Sequence, residues 1–181
     1  ILLVPVAVAL CIWLSNWQWN RHLGRDVANT ELSQNLAEAA IPDDQVVEAG
    51  QPLRSGLDQR AVAATGIYDT SAEFLVRKRP LAGSNGYWVV TPLITPSGAA
   101  LLVNRGWLKA NGSAAATPEI PVAPPGLVTL NGRLRSSESG PQQEPSDVPV
   151  GQVSALDANR SAAVAGRPTY SGYVDLVSSN P

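Results

Sequence analysis

The chain has 181 residues, 44% of them apolar, which suffices for one domain with its own core. Its net charge of −2 offers no basic excess for nucleic acid, and a single cysteine, Cys11, excludes an internal disulfide. There are 11 arginines against 2 lysines, and no Met; since the chain opens on Ile1, a longer parent protein is expected.

Residues 1–14 carry no charge and almost no polarity. A membrane span needs ~20 apolar residues, so the run reads as a transmembrane helix over 1–20, truncated at its start. Pro5 is tolerable there. Trp13, Trp17 and Trp19 gather where polarity begins, as amphipathic indoles do at a membrane–water interface, and Arg21, His22 and Arg25 follow. The competing reading is the hydrophobic core of a signal peptide, but Trp17–Arg21 has no small-residue cleavage site.

From 21 to 41 the apolar residues Leu23, Val27, Leu32 and Leu36 recur at roughly helical spacing, which predicts an amphipathic stalk ended by Pro42. A loop rich in Pro, Gly and acids runs to Gly56. Asp43, Asp44 and Glu48 within it read as solvated surface.

A β-rich domain is then predicted over 57–177. Arg60–Tyr68 is rich in Val and Ala. Glu73–Arg79 alternates Phe74, Val76 and Lys78 against Leu75 and Arg77. Tyr87–Thr95 and Ala99–Leu108 flank the turn Pro96-Ser97-Gly98 and predict a hairpin. Leu127–Arg135 and Tyr170–Val177 are further strands. Pro-rich loops occupy 111–125 and 136–149, and 157–165 suits a short helix. The fold class is thus a membrane-anchored α+β protein: a helix and stalk followed by a mainly antiparallel, small, barrel-like sheet.

Chemistry is sparse. One His and one Cys cannot make a closed zinc site without several carboxylates, and neither a phosphate loop nor a nucleophile elbow is present. No catalytic or metal-binding residue is assigned, and an enzyme is not expected. His22 reads either as a haem-proximal ligand or as an interfacial histidine bonded to water and headgroups. Arg77, Lys78 and Arg79 read either as a solvated face or as a docking surface for acidic groups, propionates included. Gly106, late in an apolar strand, suggests a bulge or a close backbone approach. Arg105 beside it should meet a carboxylate, and Trp107 should pack on the sheet.

Gly86-Tyr87-Trp88-Val89-Val90-Thr91-Pro92-Leu93, then Gly98, then Leu102-Val103-Asn104-Arg105-Gly106-Trp107, resembles the central signature of the Surfeit locus protein one family. Trp17-Gln18-x-x-Arg21 resembles that family's exit from its first transmembrane helix. Val62–Asp69 resembles its first strand, and Asn131-Gly132-Arg133-Leu134-Arg135 its later Gly-x-Leu-Arg strand. The arginine bias points to an actinobacterial member.

The resemblance implies an assembly factor or accessory subunit of haem-copper cytochrome c oxidase, assisting haem a insertion or stabilising the oxidase in a respiratory supercomplex. It implies contacts with oxidase subunits and the lipid bilayer of the bacterial plasma membrane, with the domain on the outer face. Haem a would be held transiently, and no cofactor is assigned to named ligands. Trp13, Trp17, Gln18 and Arg21 become partner-facing or helix–domain bridging residues. Gly86, Thr91, Pro92, Asn104, Arg105, Gly106 and Trp107 become structural residues. A second C-terminal transmembrane helix, opening on an Asn-His motif, is expected of the family, but nothing like it follows Tyr173–Val177. The alternative is an unrelated anchored periplasmic β-domain that binds a ligand or serves as a structural module.

Overall fold

The computed structural model describes residues 3–42, 49–51, 53–54, 56–110, 112, 117–140, 144–158 and 166–180; within the first helix the described side chains are 5, 8, 10–19, 30 and 33–37. The acidic loop residues Asp43, Asp44 and Glu48, the side chains of Arg21 and His22, and most of the helix expected at 157–165 lie outside this set.

The segments expected as anchor and stalk form one unbroken helix, α1, Leu3–Ala37. Its apolar stretch Leu3–Leu14 rises about 18 Å at ~1.5 Å per residue, against a hydrocarbon thickness of ~30 Å. Among the described residues no helix is long and apolar enough to cross a membrane.

Among the described residues eight strands form one sheet: β1 (Ile41–Pro42), β2 (Ala61–Tyr68), β3 (Phe74–Val76), β4 (Gly86–Ile94), β5 (Ala100–Lys109), β6 (Leu127–Ser136), β7 (Gln152–Val153) and β8 (Thr169–Asn180). The order is β1-β2-β6-β8-β5-β4-β3-β7, and β2 also pairs with β4. That extra pairing, Ile67 with Ile94 and Tyr68 with Leu93, closes a ring of β2, β6, β8, β5 and β4. The barrel-like expectation therefore holds, as does the hairpin of β4 and β5. The sheet is mainly antiparallel, but β8 runs parallel to β5, as β1 does to β2 and β7 to β3.

Burial explains which strands look amphipathic. β2 and β6 alternate strictly, with Val62, Ala64, Val128, Leu130 and Leu134 turned into the barrel beside Leu93, Leu101, Val103 and Val174. β3 does not alternate: Phe74, Leu75 and Val76 are all buried. A second cluster with Leu156, Ala158 and Tyr173 covers one face, and Tyr87 and Val89 cover the other. The predicted strand to Arg79 instead stops at Val76, because Lys78 takes the left-handed region at φ 59°. Arg77 and Arg79 therefore do not share a strand face, as the alternation had implied.

Candidate functional site

Pro92 lies inside β4 without a ladder cost. Its carbonyl accepts the Asp69 N–H at 2.8 Å, and the N and C=O of one strand residue face the same edge. The missing N–H therefore faces the stretch of β4 edge lying between Tyr68 of β2 and Phe74 of β3. Across that gap stands Glu73. Its Oε2 accepts both Thr91 Oγ1 and Arg105 Nη1, the latter at 2.7 Å. Both charged side chains are largely buried, at 11% and 14% exposure. Arg105 Nη2 also donates to the Pro121 carbonyl at 2.7 Å, pinning a Pro-rich loop, and its guanidinium stands 5.8 Å from the centre of the Tyr68 ring. Burial raises the Tyr68 pKa, and the nearby Arg105 cation partly offsets this.

Arg105 reaches Glu73 by way of a bulge. Val89 pairs with Gly106 and Val90 with Asn104, so Arg105 is the extra residue. Gly106 adopts φ 139°, a backbone region that side-chain-bearing residues avoid. Asn104 Oδ1 accepts the Gly106 N–H at 3.2 Å while its Nδ2 donates to Asp175 at 2.8 Å. Asp175 in turn accepts Arg135 at 3.2 Å, and Arg135 Nε donates to Asp58 at 3.3 Å. A polar chain thus runs over β5, β8 and β6 to the loop under the helix.

Tyr173, buried against Trp88 with ring centroids 6.3 Å apart, has its pKa raised to about 12 by burial and then by Asp175, against Arg135. Its folded-state pKa exceeds the ordinary 10.0, so the neutral phenol stabilises the fold. That contribution is complete below pH 10 and is lost as pH rises through about 12. Two units correspond to about 2–3 kcal/mol. Urea unfolding between pH 9 and 12 should show a fall in stability that Tyr173→Phe makes shallower. An unchanged slope would show that another group carries the alkaline loss.

The basic triplet divides. Arg79 pairs with Glu138, stacks 4.0 Å over the Trp88 ring, and gives its carbonyl to Trp107 Nε1 at 2.6 Å. Gly86 is close-packed under the Trp107 indole, where a Cβ would clash with the ring and with the Leu108 carbonyl. Arg77 and Lys78 instead line a cleft of about 470 Å³ with Lys109, Asn85 and Tyr87. A second, uncharged cleft of about 370 Å³ lies by Thr65, Thr95 and Tyr170. Among the described residues no three His, Cys, Asp or Glu side chains gather as a metal site.

On α1, Trp13, Trp17 and Trp19 are 63%, 49% and 64% exposed, with Val8, Leu10 and Ile12 also on the surface. Gln18 is exposed beside them. Sequence reasoning missed the joint between helix and barrel. Asn35 Nδ2 donates to the carbonyls of Gly56 and Asp58 at 2.7 and 2.9 Å. Arg133 donates back to the Asn35 and Leu36 carbonyls, and Arg60 pairs with Glu38 at 2.6 Å. This joint sits about five turns beyond Trp17. Free carbonyls at a helix C-terminus accept cations well, which is the one signal that Arg133 offered.

These features define a helix-bearing small β-barrel whose signature residues occupy its bulge and its closure. The chain belongs to the SURF1 family, whose model matches residues 5–180. Similar proteins include an uncharacterized SURF1-like protein of Mycobacterium bovis and its counterparts in two Mycobacterium tuberculosis strains. Each is 26% identical over 183 residues, covering 99% of this chain and 67% of the relative. The relatives are actinobacterial, as the arginine-rich composition suggested.

Proposed function

We propose that this chain is a non-enzymatic assembly factor or accessory subunit of haem-copper cytochrome c oxidase, held at the plasma membrane by α1 with its barrel on the outer face. The observation that carries this reading is the family match over 5–180, which includes both helix and barrel. Exposed tryptophans at the polar boundary of α1 support a helix working in an interface, against lipid or an oxidase subunit. The barrel then serves as a rigid head, and haem a is a transient client. In a deletion strain the purified oxidase should be depleted in haem a or incompletely assembled. Normal haem a content and normal assembly would sink the proposal. Stoichiometric co-purification with mature oxidase would favour the accessory subunit over the transient factor.

The helix has its own test. Trp13→Ser with Trp19→Ser should leave the thermal midpoint of the barrel within about 1 °C, since both indoles are exposed in the chain itself. Association with the oxidase, measured by pull-down in mild detergent, should fall severalfold. Unchanged association would remove the helix surface from the interface.

A further inference from the structure

The cleft at the open ends of β4 and β5 gathers cations. Arg79, Arg105 and Arg135 each have a carboxylate partner. Glu73 and Glu138 are engaged by Arg105 and Arg79. Arg77, Lys78 and Lys109 line one recess, no Asp or Glu lines it, and none of the three has a carboxylate partner among the described residues. Arg77 Nε is buried and makes no hydrogen bond among them. In a chain of net charge −2 this is a local excess of positive charge, and an unsatisfied buried guanidinium nitrogen is costly.

The backbone presents this charge at a cost. Lys78 sits at φ 59°, where a residue with a Cβ is strained, although a glycine would suit the turn. The walls are fixed, because Arg79 N–H donates to the Gly86 carbonyl and Ala110 N–H to the Asn85 carbonyl, both at 3.0 Å. Asn85 and Tyr87 complete the lining beside the three cations. At about 470 Å³ the cleft falls in the size range of small-molecule sites.

We infer that this cleft binds a small polyanion bearing at least two phosphate or carboxylate groups, with Arg77, Lys78 and Lys109 as its charge partners. Arg77 supplies the planar fork and the lysines point charges. The inference does not depend on the oxidase reading.

The test is calorimetric titration of the whole protein in detergent with inorganic pyrophosphate and, separately, with citrate. Saturable 1:1 binding of either anion is expected, weakening as salt rises. Preference for pyrophosphate assigns a phosphate ligand, and preference for citrate a carboxylate one. Lys109→Ala, at an exposed position, and Lys78→Gly, which fits the left-handed backbone, should each weaken binding at least fivefold without lowering the unfolding midpoint. Charge reversal by Lys109→Glu should abolish it. No saturable binding, equal binding by wild type and Lys109→Glu, or binding of an acidic peptide but of neither small anion would overturn the inference.

Discussion

Arg105→Ala should cost about 3–5 kcal/mol, a large part of the 5–15 kcal/mol that usually separates a folded domain from its unfolded chain. The loss comes from what the substitution leaves behind. Glu73 would remain largely buried with its carboxylate facing only the Thr91 hydroxyl. The Pro121 carbonyl would lose its donor, and the loop that shields this region would lose its pin. Arg105→Lys should cost less, about 1–2 kcal/mol, because a lysine keeps the charge but cannot reach Glu73 and Pro121 with separate nitrogens. The double change Glu73→Gln with Arg105→Met should be milder than Arg105→Ala alone, since no unpaired charge stays buried. Urea unfolding of the three variants ranks them. If Arg105→Ala unfolds like wild type while oxidase assembly is lost, the role given to Arg105 is wrong and it must face a partner.

What was legible follows from how local each feature is. The hairpin of β4 and β5 was readable because apolar residues flank Pro96-Ser97-Gly98 at short range. The bulge was readable because a glycine interrupts an apolar strand, and only Gly106 accepts that φ cheaply. Which strands close the barrel was not, since the pairing of Ile67 with Ile94 joins residues that no nearby turn brings together. Nor was the parallel lie of β8 on β5, which a prolonged connection from β6 makes. Arg77 and Arg79 look alike in sequence; only the left-handed turn at Lys78 sends one to a carboxylate and the other to a cleft. Nothing in the sequence singles out Asn35 or pairs it with Arg133, because the joint they form exists only once helix and barrel meet.

Barrel closure should be the other point of high sensitivity, and Gly66→Ala tests it. Gly66 lies beside the closing pair of β2 and β4. A Cβ there would meet the Ile94 carbonyl oxygen, with the Ile94 carbonyl carbon and Leu93 Cγ each 2.9 Å away. A side-chain tip gives way cheaply, but this obstacle is backbone. β4 cannot retreat either, because β5 holds it along its whole length, from Gly86 with Lys109 to Ile94 with Ala100. The added methyl must therefore part β2 from β4. Overpacking of this kind costs about 1–3 kcal/mol, and lost closing contacts place Gly66→Ala at the upper end. The Asp69 amide, bonded to Pro92 across the same seam, should exchange at least tenfold faster with solvent while amides between β4 and β5 keep their protection. Wild-type protection at Asp69 would mean the ring is not held shut there. Arg133, which grips the end of α1, sits on β6 opposite Ala61 of β2. A parted seam therefore loosens the strand pair that carries the helix, so the same variant should also widen the range of helix orientations seen by spin-label distances between α1 and β5. Unchanged distances in a variant with an exposed Asp69 amide would show that the joint is set by β6 alone.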